Sequence, residues 1–134
     1  MTQKKLTLSL FVLSFIGLGI GYLLTNSVLF NICLHDQYSC RDLFNRIGDP
    51  LFYGMPALAV VFLILFFLPQ AFSAWKKFAI WFIPITALVF IFYTGPSSGD
   101  LFSPYPEQVF QWVSAVYVLI SLGIITLAAL RKSK

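Results

Sequence analysis

The sequence predicts an all-α integral membrane protein, a bundle of four transmembrane helices with a short helix lying at the outer membrane interface. Composition is the first observation behind this prediction. Hydrophobic residues make up 59% of the 134 residues and charged residues 10%, whereas soluble domains have roughly 45–50% and 25%. The mean hydropathy is +0.86. A water-soluble fold of this size could not cover so much apolar surface, so we expect a single domain embedded in a lipid bilayer.

The second observation is that the apolar residues gather in four runs, each close to the roughly 20 residues that a helix needs to cross hydrocarbon. Hydrocarbon offers no partner to backbone groups, so each run should be helical. The third run reaches full length if Trp75 lies at the inner interface while Lys76 and Lys77 extend back to water. We predict transmembrane helices over residues 6–26, 51–69, 76–94 and 108–130, with outer loops at 27–50 and 95–107 and an inner loop at 70–75.

The third observation is the segregation of basic residues between the two ends of the predicted helices. Seven basic side chains fall at one end, and only Arg41 and Arg46 fall at the other. The seven are Lys4, Lys5, Lys76, Lys77, Arg131, Lys132 and Lys134. Loops rich in Lys and Arg remain in the cytoplasm, so we expect a multi-pass protein of the plasma (inner) membrane with both termini cytoplasmic. The basic residues form short clusters rather than a stripe on a polar face, which argues against nucleic-acid binding.

The first apolar run also resembles a secretory signal peptide, because Lys4 and Lys5 precede it. The residues from Thr25 to Ser27 loosely match the small-residue pattern of a cleavage site. The run is nevertheless longer than the roughly 7–15 apolar residues of a usual signal peptide. We therefore expect it to be retained as the first transmembrane helix.

Small residues recur at helical spacing in the first and fourth predicted helices. Gly17, Gly21 and Thr25 follow one another at intervals of four residues in the first helix. In the fourth helix, three small residues recur every seven positions: Ser114, Ser121 and Ala128. Small residues let helix backbones approach closely within a membrane. Both sets are therefore predicted helix-packing residues, within the bundle or between copies of the chain.

The long outer loop contains signals for a short amphipathic helix over residues 40–47. Ser39 with Asp42 three residues later fits a capping box, and Asp42 with Arg46 forms a favourable i,i+4 pair. The apolar positions share one helical face: Cys40, Leu43, Phe44 and Ile47. Gly48 is expected to stop this helix and Pro50 to open the next one. We predict that this short helix lies flat at the outer interface.

The same loop carries the chain's only two cysteines, Cys33 and Cys40, within the stretch CLHDQYSC. Outside the cytoplasm thiols are commonly oxidised, so we predict a structural disulfide between them. A redox role is the alternative, because a thiolate of Cys40 would be favoured at a helix N-terminus. Four-helix, quinone-linked thiol oxidoreductases use a second cysteine pair, which this chain lacks. His35 and Asp36 could add metal ligands, but their spacing matches no common zinc pattern, so we predict no metal.

The function is predicted mainly from what the apolar runs lack. They contain no Asp, Glu, Lys, Arg or His, whereas proton-coupled transporters and pumps generally need such a residue inside the membrane. No nucleophile and base, or paired carboxylates, can be assembled, so we predict no catalytic residues, no cofactor and no enzyme activity. We expect an accessory, scaffolding or self-assembling interaction subunit whose partners are the lipid bilayer and another membrane protein or a second copy. The alternatives are an extracytoplasmic thiol-redox partner using Cys33 and Cys40, and a passive channel or transporter for neutral or lipid-like molecules.

Overall fold

A computed structural model describes residues 2–93 and 105–134, so most of the predicted outer loop at 95–107 lies outside the described residues. The described chain contains four α-helices: α1 (Gln3–Thr25), α2 (Tyr38–Phe67), α3 (Phe72–Phe92) and α4 (Pro106–Ser133). A short 3-10 turn, Pro69–Ala71, joins α2 to α3. All four helices are long and apolar enough to cross a membrane. The predicted all-α class with four candidate transmembrane helices is therefore confirmed.

Successive helices run in opposite directions, as contacts along their lengths establish. The rings of Phe62 in α2 and Trp75 in α3 are 5.4 Å apart, and those of Phe90 in α3 and Phe110 in α4 are 4.6 Å apart. Antiparallel order brings the start of α1, the start of α3 and the end of α4 to one end of the bundle. We call this end, which carries the seven clustered basic residues, the lysine end. The opposite end, which carries both cysteines, is the disulfide end.

The best-buried part of the bundle lies toward the lysine end. Val61 and Leu65 of α2 pack there with Trp75 of α3 and Ile125 of α4 in one cluster of buried residues. Trp75, which was predicted to lie at the inner interface, is 4% exposed because its ring packs against neighbouring rings inside the bundle. Its depth in a membrane stays a prediction. Toward the disulfide end, by contrast, α3 has no buried residue from position 80 to 92.

The predicted separate outer helix is absent, because residues 40–47 form the first part of the uninterrupted helix α2. Ser39 does not cap this helix, since the N-cap is Gln37 and no side-chain cap hydrogen bond forms. Gly48, the predicted stop, is a buried helical residue facing α1. A Cβ at this position would lie 2.8 Å from Leu24 Cβ. Gly48 thus permits close helix approach, and Pro50 lies inside α2 rather than opening a new helix.

The predicted inner loop at 70–75 is also shorter than expected. The chain leaves α2 after Phe67, makes the 3-10 turn Pro69–Ala71 and enters α3 at Phe72. Pro69 can begin such a turn because its fixed φ suits the first helical position. Most of the predicted loop is consequently the first turn of α3.

Candidate functional site

The predicted packing residues of α1 lie in the interface with α2. Gly17 and Gly21 both face α2, and a Cβ at Gly21 would lie only 2.6 Å from the backbone nitrogen of Phe52. One turn further on, the Thr25 hydroxyl donates a hydrogen bond of 3.3 Å to Asp49 Oδ1. Two backbones can approach this closely only where no side chain intervenes. The small residues of α1 therefore form a contact within one chain.

The predicted small residues of α4 contact the other helices of the bundle. The Ser114 hydroxyl donates to the backbone carbonyl of Tyr53 in α2 at 3.2 Å. Ser121 is fully buried, and its Oγ accepts a hydrogen bond of 3.3 Å from the indole N–H of Trp75. Ala128 packs against the buried cluster at the lysine end. The two serines thus connect α4 to α2 and to α3 by side-chain hydrogen bonds.

The buried pair of Trp75 and Ser121 permits a test of hydrogen bonding in the bundle. Ser121→Ala leaves the indole N–H of Trp75 without its acceptor, so we expect the free energy of unfolding to fall by about 1 kcal/mol. The neighbouring Tyr117 hydroxyl is also buried and lies close to Ser121 and Trp75, but in the described part of the chain none of its contacts meets hydrogen-bond geometry. Tyr117→Phe should therefore be nearly neutral. Denaturant titration in detergent micelles, followed by circular dichroism, measures both changes. If the two variants lost the same free energy of unfolding, the hydrogen bond from Trp75 to Ser121 would not be the cause.

The two cysteines form a disulfide, and their Cα atoms are 6.0 Å apart. We call residues 26–47, from the end of α1 to the first part of α2, the stapled segment. Within it, the carbonyl of Ser27 accepts hydrogen bonds from the amides of Ile32 at 2.8 Å and Cys33 at 3.2 Å. Cys33 is only 3% exposed. The disulfide thus attaches a hydrogen-bonded turn, which follows α1, to the first turn of α2.

The first part of α2 extends past the end of α1. Because Thr25 lies beside Asp49, residues 38–47 project about 15 Å beyond α1, at about 1.5 Å per residue. Leu43 is 57% exposed and Ile47 is 51% exposed on this projection, whereas Cys40 and Phe44 are partly buried. The predicted single apolar face is therefore divided between one half that packs on the protein and one half that is exposed.

The disulfide end also carries an exposed ion pair. The predicted pair of Asp42 and Arg46 forms, with Arg46 Nε 3.0 Å from Asp42 Oδ2. Both side chains are well exposed, so the pair contributes at most about 0.5 kcal/mol. Among the described residues, no three His, Cys, Asp or Glu side chains lie close enough together to hold a metal ion.

These features define the class of protein as an all-α bundle whose four long helices are suited to crossing a membrane more than once. No family model matches the sequence, and no curated protein or solved structure matches it either. Its function must therefore be inferred from its own residues.

Sequence reasoning did not find one further feature, a cavity between α2, α3 and α4. Gly54, Ala57 and Ala87 line this cavity. The small residues at these positions were the only sequence signal for the cavity. They predict a cavity only if it is known which helix faces lie opposite each other, and helical periodicity alone does not show this.

Proposed function

We propose that the protein is a small integral membrane protein that acts as an interaction subunit, with no chemistry of its own. It would serve as an accessory or scaffolding component for another membrane protein, or assemble with copies of itself. The supporting observation is the exposure of Leu43 and Ile47 on the projecting first part of α2 at the disulfide end. Large exposed apolar side chains outside a membrane favour contact with a partner.

The length of α2 supports placing this projection outside hydrocarbon. Its 30 residues give a helix of about 45 Å, whereas the hydrocarbon core is about 30 Å thick. The charged residues Arg41, Asp42 and Arg46 mark the excess as the first part of the helix. Leu43 and Ile47 would then meet water unless another surface covers them.

The proposed orientation has both termini in the cytoplasm of a cell whose plasma membrane contains the protein. The clustering of lysines at one end of the bundle supports it, since such clusters are retained on the cytoplasmic side. The disulfide end would then face an oxidising compartment, where the bond between Cys33 and Cys40 is stable. A structural role for the disulfide is favoured over redox exchange because exchange needs access to sulfur, and Cys33 is almost completely buried.

Photo-cross-linking in native membranes tests the proposed interaction. With benzoylphenylalanine at Leu43, we expect one reproducible adduct, containing either a single partner protein or a second copy of the chain, identified by mass spectrometry. Ile47→Asp in the same chain should abolish this adduct, because a carboxylate one turn away disfavours apolar burial.

The matched control places the same cross-linker at Leu127, which is 60% exposed near the lysine end of α4. This position should react with lipid and should not respond to Ile47→Asp. Reaction with lipid alone at both positions would contradict the proposed function.

A further inference from the structure

The cavity between α2, α3 and α4 has a volume of about 210 Å³ and lies in the half of the bundle nearer the disulfide end. Apolar side chains such as Met55, Leu58 and Val113 form much of its wall. Phe90 lies at the end of the cavity nearer the disulfide end. Phe82 and Tyr117, whose rings are 5.5 Å apart, lie at the opposite end. The cavity is therefore an apolar space with aromatic rings at both ends.

The sequence keeps this space open by placing small residues around it. Gly54 and Ala57 of α2, Ala87 of α3 and Ser114 of α4 all line the cavity. A Cβ at Gly54 would meet only Phe90 Cε2, at 3.9 Å, which is ordinary contact. A larger side chain could therefore be accommodated at this position, but the chain has none there.

Water is a poor occupant of such a space. The wall is almost entirely apolar, so a water molecule there would find few of the roughly two to four polar partners that it needs. The hydroxyl of Ser114, one of the few polar groups in the wall, already donates to the carbonyl of Tyr53. An apolar occupant would instead gain dispersion contacts with the whole wall.

Size and access decide which apolar molecule fits. Ile83 lines the cavity and is 40% exposed, and α2 packs less closely on α3 than on α4. The side between α2 and α3 is therefore where the space is most accessible. A helix of a partner or of a second copy, about 10 Å wide with its side chains, is too wide to enter such a space, whereas a segment of a slender hydrocarbon chain fits into about 210 Å³.

We propose that this cavity binds one acyl chain of a bilayer phospholipid, which enters sideways between α2 and α3. This site goes beyond the interaction function proposed for the stapled segment and involves different residues; it rests only on the part of that proposal that places the helices in a bilayer. The small residues Gly54 and Ala87 are the specificity determinants, because any larger side chain there would occupy the space of the acyl chain.

Photolabelling of the full chain in vesicles tests the site. The vesicles contain phosphatidylethanolamine and phosphatidylglycerol, with a small fraction of phosphatidylethanolamine carrying a diazirine midway along one acyl chain. After photolysis, peptide mass spectrometry should find adducts concentrated at the cavity wall, around Met55 and Ile83, above those at outward-facing residues such as Leu119. Gly54→Leu, and independently Ala87→Leu from the opposite wall, should remove most of the wall adducts.

Gly123→Leu is the matched control, because a Cβ at Gly123 meets nothing within 4 Å. It should leave the wall adducts unchanged. Circular dichroism shows which variants keep their helices. Because the two filled variants change different helices, one of them still tests the site if the other fails to fold. Adducts spread evenly over the outward faces would overturn the site, as would wall adducts that persist in both filled variants.

Discussion

Gly21→Ala is expected to lower the free energy of unfolding by about 1–3 kcal/mol, the usual cost of overpacking a tight interface. The new methyl group would lie 2.6 Å from the backbone nitrogen of Phe52 and 2.9 Å from Leu51 Cβ. A backbone atom cannot rotate away as a flexible side chain can, so α1 and α2 must move apart. That separation would also loosen contacts one turn away, including the hydrogen bond from Thr25 to Asp49.

Gly19→Ala is the control for this prediction, because both glycines lie in α1 and a Cβ at Gly19 meets nothing within 4 Å. Alanine is a better helix former than glycine by roughly 1 kcal/mol in water, so Gly19→Ala should be neutral or slightly stabilising. Denaturant titration of both variants in detergent micelles gives the comparison. Gly48→Ala adds a methyl group to the same interface from the α2 side, so it should lower the free energy of unfolding by a similar amount. Equal stability of the Gly19 and Gly21 variants would contradict the close approach of α1 and α2.

The sequence predicted those features that depend on local composition and spacing. Four apolar runs lead to four long helices because hydrocarbon allows few alternatives to a helix. Gly17, Gly21 and Thr25 were identified because a four-residue interval keeps small residues on one helical face. The pairing of Asp42 with Arg46 followed from the same helical geometry. Predictions of this kind need no knowledge of which helix lies opposite.

The features that the sequence did not predict depend on tertiary contacts. Gly48 and Pro50 together favour a helix boundary, yet α2 continues through both. Close packing on Leu24 and Thr25 explains a glycine there without any break in the helix. Similarly, a tryptophan beside two lysines is typical of a membrane interface, but the ring of Trp75 packs inside the bundle. Its indole N–H donates a hydrogen bond to Ser121 there. The cavity was not predicted because three different helices line it, and the sequence does not show how their faces meet.

Replacing both cysteines, Cys33→Ser with Cys40→Ser, is expected to destabilise the stapled segment by roughly 2–3 kcal/mol, the chain-entropy value for a loop of this size. The effect should be local rather than global. Residues 38–47 of α2 project beyond α1, and an isolated helix of that length is marginal in water. The disulfide instead attaches the projection to the turn that follows α1.

Hydrogen exchange, measured by mass spectrometry in micelles, separates local from global effects. Amides of residues 41–47 should exchange roughly 30- to 150-fold faster in the double variant, since about 1.4 kcal/mol corresponds to a factor of ten. Amides around Val61 and Leu65, buried in the bundle, should be unchanged. Faster exchange in both regions would show that the disulfide supports the whole bundle. Unchanged exchange in both regions would show that the disulfide stabilises neither the stapled segment nor the bundle.

The single variant Cys33→Ser extends this experiment to the proposed orientation, because it leaves Cys40 as the chain's only thiol. Loss of the staple should loosen the first turn of α2 and expose that thiol. A membrane-impermeant maleimide added to intact cells should therefore label it without permeabilisation. The double variant, which has no thiol, is the control for background labelling. Labelling that appears only after permeabilisation would place the disulfide end in the cytoplasm, where a structural disulfide between Cys33 and Cys40 would not persist.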